Sequence, residues 1–250
     1  MTTSPSPPPS AAHDDPLSQA YRYLQRVVGI VALALPFVIS IGDFLLADQS
    51  LRGSISAYYY GATGSWFVGT LCALGVFFLS YEYRELDERR DYRRDRQASN
   101  LAALLAVIVA LFPTLEQKDG ATAGARAVSA IHISAACTLF VLLAYFALCL
   151  FTKSSCDRDA PARGFASLLA DWRRAWRFDE SGLDGISPHK RRRNRIYRIS
   201  GIVIVACIVV AVAMMATHRG AIFWPESVAV VAFGCSWLVK GEAIARLSRD

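Results

Sequence analysis

The chain has 250 residues, 54% of them apolar, with a formal net charge of +6 and a positive mean hydropathy of +0.30. That combination places it in the membrane class rather than among soluble or disordered proteins. The charge does not indicate a nucleic-acid binder, because the arginines fall in two blocks, Arg84 to Arg96 and Lys190 to Arg198, that flank apolar runs and leave no soluble domain to hold a duplex.

Residues 1–16 (MTTSPSPPPSAAHDDP) are rich in Pro and Ser and read as a disordered tail. Residues 17–26 carry apolar side chains at helical spacing and extend the first helix as a lead-in turn. The remainder, 17–250, reads as one membrane domain with six apolar runs, at 27–47, 64–83, 100–115, 128–152, 199–217 and 222–243. A run of 21 residues rises about 30 Å as a helix, the thickness of a bilayer's hydrocarbon. The first run is a retained span and not a cleaved signal, since Asp43 and Asp48 stand where a small-residue cleavage site belongs.

The first connection, 48–63, is short, polar and aromatic, and its glycines bracket Ser54-Ile-Ser56-Ala-Tyr58-Tyr59-Tyr60. The next, 84–98, mixes Glu and Arg at helical spacing, which predicts that the second helix continues beyond the bilayer. After a small loop at 116–127 and the fourth run comes the longest connection, 153–198, a basic cytoplasmic segment. Within it Phe165, Leu168, Leu169, Trp172 and Trp176 share one helical face, the pattern of an amphipathic helix in the headgroup layer or packed on the bundle. With the N-terminus inside, 23 of the 27 Lys and Arg residues lie on the inner side and four outside. The expected fold is therefore all-α: an integral membrane bundle of six transmembrane helices, both termini cytoplasmic, with one interfacial amphipathic helix. The address expected is a bacterial cytoplasmic (inner) membrane, multi-pass.

Ionisable groups inside a bilayer cost about 2.5–3.5 kcal/mol each, so those present require a reason. Asp43, Ser54, Ser56, Tyr58, His132 and Glu226 fall at one depth near the outer interface and could line a polar binding pocket. Each also has a plainer role. The tyrosines suit an aromatic belt. Trp224-Pro225-Glu226 suits a helix start. His132 suits a neutral imidazole bonded to a neighbouring helix, and the serines suit turn caps. On the inner side Asn100, Lys240 and Glu242 form a second polar set, with Lys240 able to snorkel to headgroups.

Metal chemistry has little to stand on: four histidines are scattered with no H-x-x-x-H, and six cysteines form no C-x-x-C. No phosphate loop or dinucleotide fingerprint occurs, and no cofactor is expected. Three functions remain: binding of a lipid, small solute or partner at the outer face; lipid hydrolysis by Ser54 or Ser56; and transport past weakly polar positions such as Ser80 and Ser236. The partners expected are membrane lipids and either a second protein or another copy of the chain.

The segments SISAYYYGATGSWFVGTLCALGVFFLSYEY, NLAALLAVIVALFPT, AIHISAACTLFVLLAYFALCLFTK, RNRIYRISGI and WPESVAVVAFGCSWLVKGE give the chain a likeness. It resembles a family of bacterial polytopic membrane proteins labelled as a domain of unknown function, itself loosely similar to the six-helix DRAM/Sfk-like proteins of eukaryotes. The resemblance covers about residues 25–245 and implies a six-helix integral membrane protein without an activity. The alkaline-ceramidase-like hydrolases offer a second likeness, but their three metal-binding histidines and seventh helix have no counterpart here.

Overall fold

The computed structural model describes residues 16–80, 89–115, 120–152, 188–217 and 221–247, with the side chains of 16–22, 89–95, 189–190 and 242–247 outside that description. Among the described residues six helices follow in order: α1 (Pro16–Ala47), α2 (Gly64–Leu79), α3 (Arg89–Leu111), α4 (Ala123–Tyr145), α5 (Pro188–Ala216) and α6 (Phe223–Leu247). A 3-10 turn (Ser56–Tyr60) lies between α1 and α2, and a π turn (Phe146–Leu150) prolongs α4. The described residues contain no strand.

Each helix packs on its chain neighbours, and α1 packs on α6, so the six close into a ring. Small residues allow the close approaches, as expected where lipid removes the hydrophobic drive between helices. A Cβ at Gly234 of α6 would stand 2.9 Å from the amide nitrogen of Leu33 and 3.0 Å from the carbonyl of Gly29, both on α1. Ala102, Ala103, Ala106 and Ala110 line the buried face of α3, which lets it approach α2 at Gly75. Gly241, near the end of α6, lies against Gln25 and Arg26 near the start of α1, so these two helices run antiparallel.

Among the described residues three helical stretches are long and apolar enough to cross a membrane: Tyr23–Ala47, Ala123–Leu150 and Arg191–Ala216. Gly64–Leu79 and Arg96–Leu111 are shorter apolar helices. Large apolar side chains face outward on every helix. Phe37, Val76, Leu104, Val141, Val210 and Val228, one from each, are 45–59% exposed. Such a surface fits a lipid solvent, whereas a water-soluble bundle would bury it. The chain is thus a membrane protein of all-helical architecture.

One expectation about a helix end is corrected. The charged segment does not continue α2, which ends at Leu79; from Arg89 onward it forms the beginning of α3. Opposite charges at helical spacing support helix wherever they lie and do not say which span they extend. The lead-in to α1 is helical from Pro16. The amphipathic stretch at 165–176 and the tail lie outside the described residues.

The inner half of the ring is filled by aromatic rings. Trp237 of α6 meets Phe78, Phe146, Phe151 and Phe233 with ring centroids 5.1–5.9 Å apart. The π turn contributes here, its extra residue spanned by a 2.9 Å hydrogen bond from the Phe151 amide to the Phe146 carbonyl.

Candidate functional site

The loop joining α1 to α2 is folded over the outer end of the ring and tied down on several sides. From α1, the Asp43 carboxylate, 1% exposed, accepts from Arg52 Nε and from the Ala62 backbone amide, both at 2.7 Å. On α6, Glu226 Oε2 accepts from the Ile55 amide at 2.6 Å, and the Phe223 amide donates to the Gly53 carbonyl at 3.0 Å. Thr63 Oγ1 donates to the Ile39 carbonyl at 3.0 Å, and Tyr60 donates to the Thr114 carbonyl, beyond α3, at 2.6 Å. Two acids thereby find donors at this end of the ring, which offsets the cost of burying them.

Within the loop, Ser54 Oγ accepts from the Ala57 amide at 3.1 Å and starts the 3-10 turn, as a serine cap does. Its hydroxyl also lies 3.1 Å from Ser56 Oγ. Tyr58 is buried: its hydroxyl accepts from the Arg52 amide at 3.3 Å, and its ring lies 5.8 Å below the Arg52 guanidinium and 5.9 Å from the ring of Phe223. Burial pushes the Tyr58 phenol above its ordinary range, and the neighbouring Arg52 pulls it partly back.

Beneath this roof lies a cavity of about 80 Å³, room for roughly six water-sized groups. Along α4 its lining runs from His132 to Leu143, eleven residues or about 16 Å of helix. Three of its eighteen lining residues are polar, and they are Ser56, His132 and Glu226, near its outer end. His132 is buried on α4, and its Nδ1 lies 2.5 Å from the Phe112 carbonyl at the end of α3. A carbonyl only accepts, so Nδ1 carries the proton and Nε2 is left as an acceptor.

The six outer residues therefore separate into two groups. Ser56, His132 and Glu226 line the cavity, with Ser54 bonded to Ser56 from the loop side. Asp43 and Tyr58 do not line it; with Arg52, a residue the sequence reading passed over, they fasten the loop. The available signal is an arginine in the first loop only nine positions from the acid at the end of α1.

Of the inner set, two side chains are described. Asn100 is exposed on α3, while Lys240 is buried on α6 at 6% exposure instead of reaching freely to headgroups. The Glu242 side chain lies outside the described residues.

Neither Ser54 nor Ser56 has a hydrogen bond to His132, Asp43 or Glu226, so among the described residues no adjacent base is bonded to either serine as nucleophile activation requires. The cavity stops at Phe78 and Phe233, whose rings pack on Trp237, and Ser80 and Ser236 bond to backbone carbonyls of their own helices. Among the described residues the lining beyond Ser56, His132 and Glu226 is apolar. Among the described residues no group of three His, Cys, Asp or Glu could hold a metal. Compared with known protein families, curated proteins and solved structures, the chain matches none.

Proposed function

We propose that this chain is a six-pass protein of a bacterial inner membrane, with both termini cytoplasmic, that binds an amphiphilic molecule under the loop on its outer face. The topology draws on the 23-to-four partition of basic residues and on the proximity of Gln25 and Arg26 to Gly241. A fusion reporter at each terminus tests it: activity of a periplasm-dependent reporter at either end removes this orientation.

The observation that carries the binding reading is the cavity itself. It is an apolar shaft about 16 Å long on α4, closed by aromatic rings at one end and bearing polar atoms at the other. Ligand pockets have this composition, an apolar lining with a few placed polar groups. Water gains little in such a shaft, while a hydrocarbon chain fills it and lets its head reach the polar end.

Native mass spectrometry of the full chain taken from its own membranes tests the reading. A bound amphiphile is expected on the wild type and is expected to be lost in Ala136→Phe, which places a ring in the shaft. The same adduct on both proteins would remove the cavity from consideration.

A further inference from the structure

The polar end of the cavity is one-sided in its chemistry. Glu226 uses Oε2 to hold the Ile55 amide, and Oε1 has no hydrogen-bond partner among the described residues. His132 has committed Nδ1–H to the Phe112 carbonyl, leaving Nε2 with a lone pair. Ser56 adds a hydroxyl whose bond to Ser54 Oγ leaves at least one lone pair unused. Among the described residues no lysine or arginine lines the cavity. The set is thus three acceptors, one of them a carboxylate, above a purely aliphatic and aromatic shaft.

This set sorts headgroups. A carboxylate or phosphate finds no cation among the described lining residues and meets like charge whenever Glu226 is ionised. A neutral alcohol supplies one donor for three acceptors. A quaternary ammonium supplies charge but no N–H, leaving Ser56 and His132 without a partner in a dry site. A primary ammonium carries one positive charge and three N–H donors, which matches the set in number and in sign.

We propose that the cavity takes a single-chain aliphatic primary amine, its ammonium held by Glu226, Ser56 and His132 and its chain lying along α4 toward Leu143. This rests on the cavity-binding reading above and narrows it to one ligand class. The lining's run of about 16 Å along α4 suits a medium chain, so octylamine is the probe.

The test uses the full chain in a neutral maltoside detergent and three probes of one chain length: octylamine, octanol and octyltrimethylammonium. The quaternary probe controls for charge and for partition into the micelle. Thermal shift and native mass spectrometry report binding to the wild type, Glu226→Gln and Ala136→Phe. Glu226→Gln keeps a carbonyl oxygen for the Ile55 amide, and its own unfolding temperature without probe shows whether the loop remains tied.

Octylamine is expected to bind the wild type at least about tenfold more tightly than either other probe, the discrimination that roughly one charge-assisted hydrogen bond supplies. Glu226→Gln is expected to lose that margin while still binding octanol, and Ala136→Phe to lose all three probes. Equal binding of octylamine and octanol to the wild type would overturn the amine assignment and leave the cavity reading intact. Binding of none of the three, or binding that Ala136→Phe does not alter, would overturn both.

Discussion

Glu226, in the first turn of α6, accepts a 2.6 Å hydrogen bond from the backbone amide of Ile55, a residue 171 positions earlier in the chain. The bond ties the last helix to the first loop and sets the roof of the cavity. Removing the acceptor in Glu226→Ala leaves the Ile55 amide unpaired, at a cost of about 1–3 kcal/mol. Glu226→Gln is expected to retain most of the stability. Unfolding of both variants in detergent, followed by intrinsic tryptophan fluorescence, checks the order.

Asp43 and Arg52 make the second tie. Arg52→Met leaves the Asp43 carboxylate buried with one amide in place of two donors. The expected loss is about 3 kcal/mol, the low end for breaking a buried pair, because the Arg52 side chain keeps 23% exposure. Converting Asp43 to Asn in the same chain is expected to recover part of that loss. A double-mutant cycle on unfolding free energies gives the coupling, and additive losses would show that the pair does not act as a unit.

Two glycines with opposite surroundings test the helix contacts. A methyl at Gly234 meets the α1 backbone at 2.9–3.0 Å, while one at Gly69 meets nothing within 4 Å. Gly234→Ala is expected to lower stability by about 1–3 kcal/mol, as overpacking does. Gly69→Ala is expected to raise it by a few tenths through better helix propensity, up to about 1 kcal/mol. Unfolding temperatures of the two variants measured side by side decide the matter.

The Tyr58 phenol gives the stability an alkaline dependence. Its folded-state value lies above the ordinary 10.0, so above that pH the unfolded chain ionises first. The folded state then binds more protons, and stability falls as pH rises through the interval between the two values. Tyr58→Phe removes this contribution, and its unfolding temperature is expected to decline less steeply above pH 10.0 than that of the wild type. Parallel slopes for the two proteins would contradict it.

Hydropathy assigns these residues a common depth but does not place them around the ring. Asp43 and His132 were read at one depth, yet Asp43 reaches the loop and His132 the cavity. Rotation about a helix axis depends on which neighbour each face meets, and a single chain's apolar pattern holds only part of that. The lead-in before residue 27 was legible because apolar residues recur there at helical spacing. The first turns of α3 were misassigned because charge pairing signals helix without naming its owner. Arg52 was counted as one of four outer charges, and its role emerges only when the loop brings it back to Asp43. The buried Lys240 reflects the same loss: its stem could be placed near the inner face, but not its side of α6.

The clasp between Ile55 and Glu226 also sets a timetable for biogenesis. A ribosome adding about 5–20 residues per second needs roughly ten to thirty seconds to make the 171 positions that separate the two. Throughout that interval the first loop is already made, but its carboxylate from α6 does not yet exist. Closure of the roof over the cavity therefore waits for the synthesis of α6, however early the loop itself is made.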